Sequence, residues 1–343
     1  MASKRKQRLA RNKRKRLQKR ETHKHLFSEN IKLKDVNEAL SQRLRKESGI
    51  KEQYFKMWRQ TEKEKEKIYN QKLNKYRPSA SASNIKLELL DIPPSELEGS
   101  ENVIGQGRFG TVKLKYYRGS PVAVKYFEPS VTAKMVEREA LILKECCHFN
   151  LPHLFGVSRE QKPFMMIMQY YGSANKNTTT IHSIIIKNSD ISVTGVDNWL
   201  HINTQMCDAL SYLHSKNILH NDIKTDNIII ISNQQGFFSP VIIDFGKAIL
   251  ISQARAKNLS KEEIAYYRHH HYHIAPEVVN GTHKPSIKSD VYSLGVVIAK
   301  IHKIFKFKVL KEMAKRCLTE YQFRPTSAEL HTMAKNLALL KLE

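Results

Sequence analysis

Cysteine is scarce. There are four in 343 residues, Cys146, Cys147, Cys207 and Cys317, and no Cys-x-x-Cys pair among them. That excludes a disulfide scaffold and a structural zinc module, and it points to an intracellular protein, nuclear or cytoplasmic. No apolar run approaches the ~18 residues that span a bilayer, so no membrane partner is expected. The first residues carry charge without an apolar stretch, unlike a secretory signal. Residues 1–20 contain no Asp or Glu, and no Phe, Trp or Tyr occurs before Phe27. Base stacking is therefore not indicated at that end. Between residues 21 and 77 the only Gly or Pro is Gly49, so nothing there forces a turn except at that point. No internal repeat is present.

What the chain does have is positive charge, unevenly placed. The net charge is +25, and residues 1–77 hold 26 Lys/Arg against 9 Asp/Glu. Residues 1–20 read as a basic tail that repels itself too strongly to fold alone. Such a tail is either a solvated segment or a contact for nucleic acid or an import receptor. In residues 21–77, Leu26, Leu33, Leu40, Tyr54 and Ile68 share one seven-residue spacing, interrupted by Glu47 and Thr61. This suits a helical, imperfect coiled coil that self-associates or takes a partner helix; the alternative is a charged single helix. Residues 78–97, opening Pro78-Ser79-Ala80-Ser81, read as a linker.

From Ile85 the pattern changes. Strand-like segments fall at about 101–104, 112–118, 121–127, 154–158 and 163–169, with a helical spacing over 131–147. A polar insertion, Ser173 to Thr180, leads into a mostly helical remainder. Its clearest helix is 196–215, with Trp199, Ile202, Met206, Leu210 and Leu213 on one face. Apolar runs also precede or follow two polar groups: Asp222 to Asn227 before Ile228–Ile231, and Asp244-Phe245-Gly246 after Val241–Ile243. Two carboxylates and an amide at the ends of buried strands suit a hard cation and a hydroxyl.

Gly105, Gly107 and Gly110 form a GxGxxG loop, which alone is weak because dinucleotide-binding folds share the spacing. Here a strand rather than a helix follows it, and Val122-Ala123-Val124-Lys125 comes next. A glycine loop between antiparallel strands can lay its N–H groups over phosphates, with Lys125 supplying charge. A carboxylate on the 131–147 helix could fix Lys125, and Glu137, Glu139 and Glu145 are all available.

Together these motifs resemble the protein kinase family, Ser/Thr kinases in particular and possibly their tyrosine-kinase-like branch. The resemblance covers roughly 98–335 and includes Ala275-Pro276-Glu277, Ser289-Asp290-Val291-Tyr292 and Phe323-Arg324-Pro325. It implies an α+β bilobal fold with a β-rich N-lobe (about 98–169) and a helical, shortened C-lobe (about 172–335). It also implies ATP and Mg²⁺ as cofactors and proteins as substrates. Glu139 becomes the partner of Lys125, Asp222 the residue that accepts the hydroxyl proton, and Lys224 a neighbour of the transferred group. Asn227 and Asp244 become the metal ligands. Ile104, Gln106, Arg108 and Phe109 complete the phosphate loop. Val112, Ala123 and Ile229 sandwich adenine, and Met168, Gln169 and Tyr171 belong to the hinge, with Met168 as gatekeeper. Asp290 is expected to brace the catalytic-loop backbone, and Arg324 to pair with Glu277.

The chain departs from the family at three places. Asn221 stands where the family has Arg, so control by an activation-loop phosphate at that residue is not expected. His270 stands where Ser/Thr kinases carry Thr, within a histidine cluster (His269, His270, His271, His273) read as an irregular substrate-facing loop rather than a metal site. Few residues separate Val297 from Arg324, and Lys300, Lys303, Lys306, Lys308, Lys311 and Lys315 fill the interval. That predicts a trimmed C-lobe with a basic face. The alternative reading of the whole is an ATP-binding pseudokinase or scaffold acting through its basic helical arm.

Overall fold

The computed structural model describes residues 89–340 apart from 108, 173–177, 188–194 and 233–237. The basic tail, the 21–77 helical reading and the first part of the linker lie outside the described residues. The last part of the linker reading is corrected. Ile92 is buried and donates its N–H to the Val157 carbonyl at 2.7 Å, so the segment before residue 97 packs against the domain. One short helical turn, Pro94–Glu96, follows it.

The N-lobe is a five-stranded antiparallel sheet with one helix. Its elements are β1 (Leu97–Gly107), β2 (Gly110–Tyr117), β3 (Ser120–Phe127), α1 (Ala133–Glu145), β4 (Leu154–Ser158) and β5 (Met165–Gln169). Strand order is β1-β2-β3-β5-β4. β1 is longer than its sequence suggests, because Gly99 and Gly105 interrupt the apolar alternation that marks a strand. Thr132 caps α1, its hydroxyl accepting from the Met135 N–H. Val136, Ala140 and Leu143 turn the helix's apolar face inward.

The C-lobe begins with α2 (Ile181–Lys187) and α3 (Val196–Ser215). In α3, Trp199, Ile202, Met206, Leu210 and Leu213 are fully buried, as the spacing predicts. Each such side chain contributes roughly 1.5–3 kcal/mol by leaving water. Two small ladders follow. β6 (Ile218–Leu219) pairs with β9 (Ile249–Leu250), and β7 (Ile228–Ser232) pairs with β8 (Phe238–Ile242), both antiparallel. The pairing has a direct consequence. The loop from β6 to β7 and the loop from β8 to β9 are held side by side, pinned at both ends.

The remaining elements are α4 (Lys261–His270), α5 (Pro276–Val279), α6 (Ile287–Phe305), α7 (Lys308–Cys317) and α8 (Ser327–Leu340). α4 corrects the irregular-loop reading for His269 and His270, which end the helix, whereas His271 and His273 lie beyond it. Ser260 and Glu263 form a capping box, and Tyr266 stacks on His270 with ring centroids 4.3 Å apart. After α6 the C-lobe is short. Gly295 lets α7 approach closely, since a Cβ there would lie 2.3 Å from Cβ of Cys317. Of the six lysines, Lys300 is half-buried and the other five are exposed.

Candidate active site

Between the lobes lies a cleft of about 820 Å³, within the size range of ligand-binding cavities. Every site residue named from the sequence lines it, except Arg108, which lies outside the described residues. The upper wall follows from strand register. Val112 pairs with Lys125, and Ala123 with Met168, so apolar roof, cation and hinge come from three adjacent strands. Ile229, paired with Val241, forms the floor. Gly110 needs its missing side chain: φ is 154°, and a Cβ would meet the Tyr126 carbonyl oxygen at 2.1 Å.

Lys125 is buried. Its Nζ donates to Glu139 Oε1 at 2.7 Å and lies 3.4 Å from Asp244 Oδ1. Burial opposes the charge, but the two carboxylates outweigh it and hold the ammonium's pKa above the ordinary lysine value. The geometry separates candidates that spacing could not. Glu137 faces Arg159 at 3.3 Å and Glu145 is exposed at the end of α1, so Glu139 is the carboxylate on the cleft side.

Below, the loop from β6 to β7 carries Asp222, Lys224 and Asn227. Its backbone is braced from α6: Asp290 accepts the His220 N–H at 2.8 Å and the Asn221 N–H at 2.9 Å. His220 is fully buried against Phe245, ring centroids 4.9 Å apart, and its Nδ1 accepts the Asp222 N–H. Asn221 and Asp244 both adopt left-handed backbone, φ 62° and 67°. Asn and Asp tolerate that region better than most residues, so the strain is modest.

Asp222 itself is 3% exposed and has four side-chain partners. Lys247 Nζ lies 2.7 Å and His273 Nε2 3.2 Å from Oδ1; Asn227 Nδ2 lies 3.1 Å and Lys224 Nζ 3.3 Å from Oδ2. Burial alone would raise the carboxyl's pKa, but His273, Lys247 and Lys224 overcome it and hold the group well below the usual carboxylate range. Lys247 and His273 are the two site residues the motif reading missed. Lys247 directly follows the Asp-Phe-Gly turn, which was the available signal. His273 sits 51 positions from Asp222, and only the tertiary fold brings them together.

Asp244 and Asn227 provide oxygen donors on opposite loops. The Asn227 amide nitrogen is committed to Asp222, to its carbonyl at 2.9 Å and its carboxylate. That leaves the amide oxygen as its only ligand atom. Asp244 keeps a third of its side-chain surface open to the cleft. A carboxylate plus an amide oxygen fits a hard divalent cation.

A two-lobed α+β fold with a glycine-roofed cleft, a paired lysine and braced acidic loops defines a phosphate-handling enzyme class. Residues 99–336 match the protein kinase domain family, and the chain belongs to that family, in its eukaryotic type. A probable serine/threonine-protein kinase of Dictyostelium discoideum is 28% identical over 217 residues, 62% of this chain and 33% of that protein. The serine/threonine-protein kinase VIK of Arabidopsis thaliana is 27% identical over 218 residues, 61% of this chain and 46% of that protein. A probable L-type lectin-domain containing receptor kinase of Arabidopsis thaliana is 30% identical over 211 residues, 59% of this chain and 30% of that protein. The chain thus spans between a third and a half of the length of the first two, and less than a third of the last. Among the described residues, no helix is long and apolar enough to cross a membrane.

Proposed function

We propose that this chain is an ATP- and Mg²⁺-dependent protein kinase that phosphorylates Ser and Thr hydroxyls of protein substrates. The observation that carries the reading is the Lys125 ion pair: its ammonium lies 2.7 Å from Glu139 and 3.4 Å from Asp244, so roof, α1 and metal loop meet at one point.

In this reading Gly105, Gly107 and Gly110 cover the triphosphate, and Lys125 neutralises its α- and β-phosphates. Val112, Ala123 and Ile229 enclose the adenine, and Gln169 and Tyr171 offer the hinge edge beside Met168. Asp244 and Asn227 hold Mg²⁺, which when bound offsets the charge of the phosphate oxygens. Asp222 orients the acceptor hydroxyl and takes its proton as the new O–P bond forms and the bond from the γ-phosphorus to the bridging oxygen breaks. Lys224 faces the transferred group. Lys224, two residues beyond Asp222, supports Ser/Thr over Tyr acceptors, as do the names of the relatives.

Phosphoamino-acid analysis of protein labelled with γ-labelled ATP tests the class. Phosphoserine or phosphothreonine is the expected product. Phosphotyrosine alone would overturn the Ser/Thr assignment.

A further inference from the structure

A second cavity, of about 240 Å³, is lined by the loop from β6 to β7, by α6 and by the end of the activation segment, which runs from Asp244 to Glu277. Two of its lining residues touch the Asp222 carboxylate, Lys224 at 3.3 Å and His273 at 3.2 Å. An occupant therefore sits close to the hydroxyl that Asp222 would orient. Val297 of α6 and Tyr272 supply apolar lining, and Lys300, one turn beyond Val297, brings a cation to it. Lys300 differs from the five exposed lysines that follow it, being half-buried. Its Nζ lies 3.5 Å from the Thr225 hydroxyl and 4.9 Å from the centroid of the Tyr272 ring. Among the described residues no carboxylate pairs with it. An ammonium carries three donors, so one long hydrogen bond and a ring face leave it short of partners. Lys224 is committed to Asp222, which makes Lys300 the cation left to meet an anion.

Asp226 is the one acid among the described residues that line the cavity. It is exposed, accepts from the Thr225 hydroxyl at 3.3 Å and lies 3.7 Å from His182, so it is engaged at the rim. His271 reports the sign of the surroundings. Burial lowers its pKa first, and His273, Lys247 and Lys224 lower it further against the pull of Asp222. We propose that this cavity is a specificity subsite for an acidic side chain of the protein substrate, close in sequence to the acceptor residue, with Lys300 as the residue that recognises it. The inference rests on the kinase reading above and names the substrate class of that site. One ammonium matches the single charge of a carboxylate, and its half-buried position reduces screening by salt. A basic side chain in the same place would face Lys300 and be disfavoured.

The test presents the full chain with serine peptides in which each position near the acceptor carries Glu, Ala or Lys in turn. At one position Glu is expected to raise kcat/KM about five- to tenfold over Ala, and Lys to lower it. Lys300→Met is expected to abolish the Glu preference while leaving kcat/KM for the Ala peptide and KM for ATP within about twofold. Lys300→Glu is expected to exchange it for a preference for Lys at the same position. Lys311→Met, on an exposed part of α7, keeps the wild-type preference, which separates the cavity from the general attraction of a basic chain. A wild type indifferent to Glu at every position overturns the proposal, as does a Glu preference that survives in Lys300→Met. If the wild type phosphorylates no peptide, the kinase reading fails separately. Fluorescence anisotropy of labelled Glu and Ala peptides with wild type and Lys300→Met then decides the subsite: tighter binding of the Glu peptide that depends on Lys300 supports it, and equal binding overturns it.

Discussion

Arg324 is 2% exposed, and its guanidinium meets Glu277 at 2.5 and 3.2 Å while also donating to the carbonyls of Lys288 and Thr319. It ties the end of the activation segment to the turn before α8. Removing the cation strands a buried carboxylate, so Arg324→Met is expected to cost about 3–5 kcal/mol. Urea unfolding followed by circular dichroism measures this, and a change under about 1 kcal/mol would mean the pair is not structural. At this scale the motifs located most of the site, because phosphate chemistry restricts which side chains can occupy the glycine loop, Lys125, Asp222, Asn227 and Asp244. Helical spacing alone leaves Glu137 equally available; the family resemblance pointed to Glu139, and the fold puts it 2.7 Å from Lys125. Lys247 and His273 were not legible. Their role is set by which segment passes near Asp222, and local sequence does not encode that distance.

The elements were legible in proportion to their apolar periodicity. α3 could be read to its ends because one face is wholly buried. α4 could not, since it buries no residue and presents no apolar stripe. Its only local signal is the Ser260–Glu263 capping box, with Glu263 Oε2 2.8 Å from the Ser260 N–H. Ser260→Ala is expected to destabilise α4 by about 1 kcal/mol and to speed amide exchange across 261–270 while leaving α3 protected. Unchanged exchange there would show that the helix is held by packing instead. In the N-lobe, Gly110→Ala forces a Cβ against the Tyr126 carbonyl. Nucleotide affinity, measured by calorimetry, is expected to fall at least about tenfold as the loop shifts. Wild-type affinity would mean that the loop does not set the phosphate position.

For the molecule as a whole, three of the four thiols are buried. Burial raises Cys146 and Cys317 to about 12 and Cys207 well above its ordinary value, whereas Cys147 is exposed. At pH 8 an alkylating reagent is expected to label native protein once, at Cys147, and to label four sites after unfolding. Rapid labelling of Cys207 in native protein would contradict its complete burial in α3. The bilobal plan was legible because the strand-rich and helix-rich halves differ in period, and the short C-lobe because few residues separate α6 from Arg324. The extent of the packed segment before β1 was not, since the apolar residues up to Ile92 run straight into Pro93-Pro94, and only the fold places Val157 beside Ile92.

The central claim is that these residues form a working phosphotransfer site. It is tested most directly by incubating the full chain with γ-labelled ATP, Mg²⁺ and a mixed protein substrate, in parallel with Asp222→Asn. The account predicts incorporation by the wild type and a loss of about 100-fold or more in the variant, because Asn cannot take the hydroxyl proton. Equal incorporation by both proteins, or none by either, would contradict it.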